Sequence, residues 1–401
     1  MRSIPQKRIL APVPDTRALL YRRLRQAALV LGTGGLLTWM MFGSGDLPIH
    51  NLPRGEKAQP PAPPEKKDAR AAFGGGEPPR PVVIAIIDTG IDQEAFRDLL
   101  WTNPFETADG IDNDGNGLID DVHGYNFIGD NHRIDDRHGH GTHVAGIVRR
   151  ELRLREALGI EGRPIRLMIL KYFDPGVPAG RTMRASLEAF RYAIDRGADI
   201  INYSGGGAVP SAEEEALLVE AARRNILLVA AAGNEGLDSD DAPFYPASYG
   251  TPNILSVGAT DDRLGAVPSS NFGRHSVDVT APGAQVLSDL PEGRTGRMTG
   301  TSQATAFVTA AAALIMSEHR TPPPVERVID RVLGTGRIFA HLEGRTRSGA
   351  HLDALRAATQ RDSQTTLTGE SSRSSARIPA KYFSHHPDES LQALDERNRP
   401  N

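Results

Sequence analysis

From Thr301 to Ser317 the chain reads TSQATAFVTAAAALIMS, without one charged side chain and with alanine as its commonest residue. Alanine favours helix, and the run is long enough for about four turns at 3.6 residues each. A helix with no polar face is stable only when other elements enclose it. The chain must therefore build layers around this segment. Gly300, Thr301 and Ser302 open the helix. Its first backbone N–H groups lack intrahelical partners and sit at the positive end of the helix dipole. A nucleophile placed there would have its developing oxyanion stabilised. A serine that merely caps a helix suits the same position, so other residues have to decide between the two roles.

The 401 residues exceed one typical domain and suit one large α/β domain with appendages. A formal charge of −4 gives no footprint for nucleic acid or any strongly charged partner. With no cysteine, disulfides, thiolate metal sites and a cysteine nucleophile are excluded.

The N-terminal part reads as outside the fold. Residues 1–26 are basic, with Arg17, Arg22, Arg23 and Arg25 leading into 27–43, which hold no charge. That span approaches the length of about 20 residues that crosses a bilayer. It is expected to be a membrane anchor that holds the N-terminus in the cytoplasm and places the remainder outside. The alternative is a signal segment cleaved near Gly43-Ser44-Gly45, leaving a secreted or periplasmic protein. Residues 44–80, rich in proline, charge and glycine, read as a semi-rigid linker, and 359–401 as a disordered polar tail.

Between them, 81–358 read as one domain. Its strand candidates are nearly continuous apolar runs at Val82–Ile87, Leu167–Phe173, Asp199–Tyr203, Ile226–Ala232 and Ile254–Val257. Strands that do not alternate are buried on both faces, which implies a parallel sheet between helices. Helical patterns lie at Thr142–Arg150, Thr182–Arg196, Ala212–Arg224 and Ser302–Ser317. The expected class is α/β, a three-layer α/β/α doubly wound fold with a mainly parallel sheet. Ligands in such folds bind beyond the carboxyl ends of the strands. Asp88, Ser204 and Asn234 each follow a strand and stand beside or near glycine, so they converge on one sheet edge. Each alone is also an ordinary turn residue. His138, His140 and His143 lie near the start of one helix. His140, between two glycines, is free to face the cleft, whereas His143 suits a packed core. No glutamate stands where a zinc-binding helix would need its base.

Asp88-Thr89-Gly90, then His140-Gly141-Thr142-His143-Val144-Ala145-Gly146, then Gly300-Thr301-Ser302-x-Ala304, resemble in content and order the subtilisin-like serine proteases, or subtilases. The resemblance covers essentially all of 81–358. It implies a serine endopeptidase acting on polypeptides, with Ser302 as nucleophile, His140 as general base and Asp88 orienting the imidazole. Asn234 and the Ser302 N–H would form the oxyanion hole. Ser204, Gly205 and Gly206 would pair with an extended substrate, and Ala231, Ala232 and Gly233 would form the opposite wall of the pocket for the residue before the cleaved bond. Phe244 is expected at that pocket's base. The chain departs from the family where Gln303-Ala304-Thr305-Ala306 replaces Met-Ala-Ser-Pro, which removes no catalytic group. The Pro-rich linker stands where many members carry a folded prosegment, so the domain is expected to fold without one.

An acidic stretch, Asp109 to Asp121, spaces Asp112, Asp114, Asn116, the Leu118 carbonyl and Asp120 like the first half of an EF-hand loop, although His123 stands at the twelfth position. Calcium is the expected ligand; a solvated Asx-rich loop is the alternative. A peptide-binding relative without catalysis, or a tethered scaffold, remain the other function classes.

Overall fold

The computed structural model describes residues 79–360. The basic N-terminal segment, the 27–43 span and nearly all of the linker and tail lie outside the described residues.

Strand β1 (Val82–Asp88) is flanked by β3 (Ile165–Lys171) and β4 (Ile200–Tyr203), and β2 (Gly124–Asn126) lies beyond β3. On the other side follow β5 (Leu227–Ala231), β6 (Ile254–Thr260) and β7 (Val279–Pro282). Two short strands, β10 (Arg337–Ile338) and β11 (Ala350–His351), finish that edge, and only their mutual pairing is antiparallel. A separate antiparallel hairpin joins β8 (Val286–Leu290) to β9 (Arg294–Met298).

All seven residues of β1 are buried. Ile84 and Ile86 face one apolar layer and Ala85 and Ile87 the other, as period-two side chains on a doubly covered strand must. Helices α2 (His140–Ala157) and α5 (Thr301–Ser317) fill the first layer, and α3 (Ala179–Asp195) and α4 (Ala212–Arg223) the second. Short α1 (Gln93–Phe96), α6 (Val325–Thr335) and α7 (Ala354–Thr359) complete the described helices. The fold is the three-layer α/β/α arrangement. Every residue of α5 is buried, in keeping with its alanine-rich sequence without a charge.

Element ends differ from the sequence expectation where pairing runs out. β3 stops at Lys171 because its partner β1 stops at Asp88, the last register pair. Tyr172 leaves the sheet with its N–H on the Asp88 carbonyl, at 3.0 Å. The first turn of α2 begins at His140, two residues before the expected Thr142, because Asp136 caps it. α6 buries Val325, Val328, Ile329 and Val332 at helical spacing, a signal present in the sequence but absent from the helices expected above.

The β8–β9 hairpin is fastened to α2 through His143. Its Nε2 lies 3.0 Å from the Val286 carbonyl and 3.2 Å from that of Gly296, while Nδ1 is buried without a partner. Burial, with His140 and Arg150 nearby, outweighs these two acceptors and lowers the His143 pKa to about 4. The unfolded chain takes up this proton near 6.5 and the folded chain only near 4, so His143 favours folding above 6.5 and that share is lost as pH falls towards 4. The loss should reach about 3 kcal/mol. Urea melts of the wild type and His143→Gln at pH 7 and pH 4 should therefore show the wild type losing more stability on acidification. A pH-independent difference between them would refute this.

Candidate active site

β1 is where the winding of the sheet reverses, with later strands laid down on opposite sides of it. A crevice opens beyond the strand ends at such a switch point. Asp88 closes β1 there, 2 % exposed, its Oδ1 accepting from the Thr89 N–H at 2.8 Å. His140 Nδ1 lies 2.8 Å from the same oxygen.

This contact depends on a close backbone approach. A Cβ on Gly141 would fall 2.2 Å from the Gly90 carbonyl, so only glycine lets α2 begin against the Asp88–Gly90 loop. The Gly141 N–H donates to the Thr89 hydroxyl at 2.9 Å, which donates to Asp136 Oδ1 at 3.0 Å. Asp136 also accepts from the N–H groups of His138, Gly139 and Thr142 and from the Thr142 hydroxyl. It thus satisfies the otherwise unpaired donors at the start of the helix that bears His140. Burial raises its pKa, but these donors outweigh burial and hold the carboxyl below its ordinary value. For His140, burial disfavours the imidazolium, yet the charge and hydrogen bond of Asp88 prevail and its pKa lies above the ordinary 6.5.

Ser302, 5 % exposed, stands in the first turn of α5, with its hydroxyl donating to the Ser204 carbonyl at 3.2 Å. Asn234 follows β5. Its Oδ1 accepts from the Thr301 N–H at 2.9 Å and from the Thr301 hydroxyl at 3.1 Å. With Oδ1 committed, the Nδ2 donor is left for a ligand. Ser204, Gly205, Gly206, Ala231, Gly233 and Asn234 line one cavity, together with Phe244 and Thr301. Ala232 stands behind that wall, its N–H on the Val257 carbonyl and its own carbonyl accepting from Asn271 Nδ2. Asp136 and Thr301 were not among the residues singled out from the sequence. Both act by holding a neighbour: Asp136 belongs to no short motif that would mark it, and Thr301, although part of the Gly300-Thr301-Ser302 motif, shows no sign there of the distant Asn234 that it holds.

The acidic loop divides. Carboxylate oxygens of Asp112 and Asp114 gather with one from Glu106, all within 4.8 Å of one another. Glu106 Oε1 accepts from the N–H groups of Asn113 and Asp114, whereas its Oε2 is buried without a hydrogen-bond partner. Asp120 turns instead to the N–H groups of Asp109 and Gly110. Asn116 Oδ1 accepts from the Leu118 N–H. Arg196 pairs with Asp114 at 2.7 Å and helps to hold its pKa low against burial, along with Asn103.

Compared with known protein families, residues 80–336 match peptidase S8, the subtilase family. The chain belongs to the subtilases. This subtilase is 35 % identical to the thermophilic serine proteinase of Bacillus sp. (strain AK1) over 264 residues, covering 64 % of this chain and 59 % of that protein. It is 32 % identical to thermitase of Thermoactinomyces vulgaris over 64 % of this chain and 84 % of thermitase. The subtilase spans 24 % of the cell wall-associated protease of Bacillus subtilis (strain 168), at 36 % identity over 59 % of its own length, and so matches only part of some relatives. Among solved structures it is similar to the patellamide maturation protease PatA, with TM-score 0.51 and 28 % identity over 69 % of this chain and 96 % of that one. A lanthipeptide protease shares the fold, with TM-score 0.55 and 21 % identity over 69 % and 86 % of the two chains.

Proposed function

We propose that the chain is a serine endopeptidase that cleaves polypeptides through an acyl-enzyme. The observation that carries this is the 2.8 Å bond between His140 Nδ1 and Asp88 Oδ1 at the end of β1, with the Ser302 hydroxyl on the Ser204 carbonyl just beyond the neighbouring strand β4 as support. Asp88 keeps the proton on Nδ1 and leaves Nε2 as the base. In this reading the Ser302 hydroxyl turns from the Ser204 carbonyl to His140 Nε2, which takes its proton as Oγ attacks the scissile carbonyl. Apo geometry of this kind tightens when substrate binds. The oxyanion is met by Asn234 Nδ2 and the Ser302 N–H. His140 then protonates the leaving amine, and water, deprotonated by the same imidazole, releases the acyl group. Substrate lies extended along 204–206. The test is covalent labelling of the full chain by a fluorophosphonate, located by peptide mapping. A label on Ser302 is expected; a folded chain that stays unlabelled overturns the reading.

Calcium suits Glu106, Asp112 and Asp114, whose hard oxygens and one unpartnered buried carboxylate oxygen match what that ion takes. The ion would brace the 106–120 loop. Restoring calcium after chelation is expected to raise the melting temperature by several degrees, the response of a domain this size to about 2–3 kcal/mol of linkage at saturating ligand. Glu106→Gln should abolish the rise. An unchanged melting temperature excludes the site, and a rise lost only in Asp120→Asn places the ion on Asn116, the Leu118 carbonyl and Asp120 instead.

The reading also holds the peptidase domain outside the cytoplasmic membrane, tethered by 27–43 or released after cleavage there. The uncharged span behind a basic flank supports it. Among the described residues no helix is long and apolar enough to cross a membrane.

A further inference from the structure

We propose that Phe244 floors the pocket that receives the side chain before the cleaved bond, restricting that residue to glycine, alanine or serine. The inference rests on the endopeptidase reading and adds its substrate class.

The pocket lies between two walls of nearly bare backbone, Gly205-Gly206 after β4 and Ala231 to Gly233 at the end of β5. Both walls close on the same ring. A Cβ on Gly206 would come within 2.4 Å of Phe244 Cε1, and one on Gly233 within 3.0 Å of Phe244 Cδ2. The ring therefore bridges the space between the walls, and it is only 5 % exposed. The whole cavity that these walls share with Tyr172, Phe173 and Thr182 holds only about 20 Å³, room for one or two water molecules. A methyl or hydroxymethyl group fits that space; an isobutyl or benzyl group does not.

The ring is also held in place. The Tyr245 N–H donates to the Gly207 carbonyl at 2.7 Å, and the Gly207 N–H returns to the Tyr245 carbonyl at 2.8 Å. The Phe244 N–H donates to Ser248 Oγ at 3.1 Å, and its carbonyl accepts from the Ser248 N–H at 2.9 Å. The backbone carrying the ring is thus tied to the very strand end that would bind substrate. Glu235 lines the same cavity, with Oε2 accepting from Asn271 Nδ2 at 2.8 Å. It is the one acid there that would attract a basic side chain if the floor were open.

The test uses the full chain and quenched peptides that differ only at the residue before the cut, with each cleavage site confirmed by mass spectrometry. Wild type should cut after alanine, glycine or serine with kcat/KM about 100-fold above leucine, phenylalanine or arginine, the scale on which a shaped pocket discriminates. Phe244→Ala should raise kcat/KM after leucine and phenylalanine at least about tenfold and lower it after alanine. If that variant fails to fold, Phe244→Leu, which keeps most of the volume, should show a smaller shift in the same direction, and the wild-type profile is decisive by itself. Equal cutting after phenylalanine and alanine, or a preference for arginine, overturns the proposal. A chain labelled at Ser302 with such a profile overturns this proposal alone. A chain neither labelled nor active overturns the endopeptidase reading, and this proposal with it.

Discussion

Replacing Ser302 by alanine is expected to lower kcat by about 10⁶, the loss that subtilisin itself suffers when its serine or histidine is removed. The size follows from what is left behind. Without an attacking oxygen no acyl-enzyme forms, and only oxyanion donors and substrate positioning remain, which still exceed water by about 10³–10⁴. The fold should be little affected. The side chain is 5 % exposed and its hydroxyl makes one bond, to the Ser204 carbonyl, so deletion should cost about 1 kcal/mol, partly offset because alanine is the better helix former. Steady-state hydrolysis of a peptide, with urea melts in parallel, checks both halves. Retention of more than a few per cent of activity in the folded variant would sink the assignment of Ser302 as nucleophile.

Asp88→Asn should lower kcat by about 10⁴ near neutral pH while preserving the packing. An asparagine amide donates to His140 Nδ1 and so places the proton on Nε2, the atom that must accept one from Ser302. The pH profile carries a second signature. In the wild type, Asp88 lifts the His140 pKa above 6.5 against the pull of burial. The base is needed neutral, so kcat/KM should fall as pH drops through a midpoint above 6.5. With the carboxylate gone, burial acts unopposed by its nearest charge and that midpoint should move down. Profiles of kcat/KM across pH 5 to 10 decide; an unmoved acid limb would mean that Asp88 does not govern this imidazole.

Much of this architecture was legible because its signals are local. β1 and β5 read as continuous apolar runs and β4 as one broken only by Asn202, since a strand covered on both faces has no reason to alternate. The residues after them could be placed on one edge because parallel strands all end on the same side. Gly141 beside His140 advertises a backbone that comes close to something, and the structure identifies it as the Gly90 carbonyl, whereas Gly139 takes a positive φ against the Leu290 side chain. Other features depend on distant pairings and leave no such trace. Asp136 is one aspartate among many until the fold brings the Thr89 hydroxyl and four donors from 138–142 around it. Thr301 looks like a helix cap, yet its two donors orient Asn234 across 67 positions of sequence. Glu106 lies outside the regular spacing of the acidic loop and joins Asp112 and Asp114 only through the turn of the chain. The β8–β9 hairpin, half exposed and rich in turn residues, carries no clean period of either kind.

Full enclosure of the 301–317 helix has an evolutionary corollary. A methylene added almost anywhere along it would press on a neighbour and displace the Ser302 hydroxyl at its tip, so heritable change there is heavily penalised. The segments proposed to frame the substrate, around 206–210 and 235–250, border solvent over much of their length and can vary without disturbing that helix. In such a molecule the chemistry is frozen while the diet is negotiable, and diversification among descendants would be written first in those two loops.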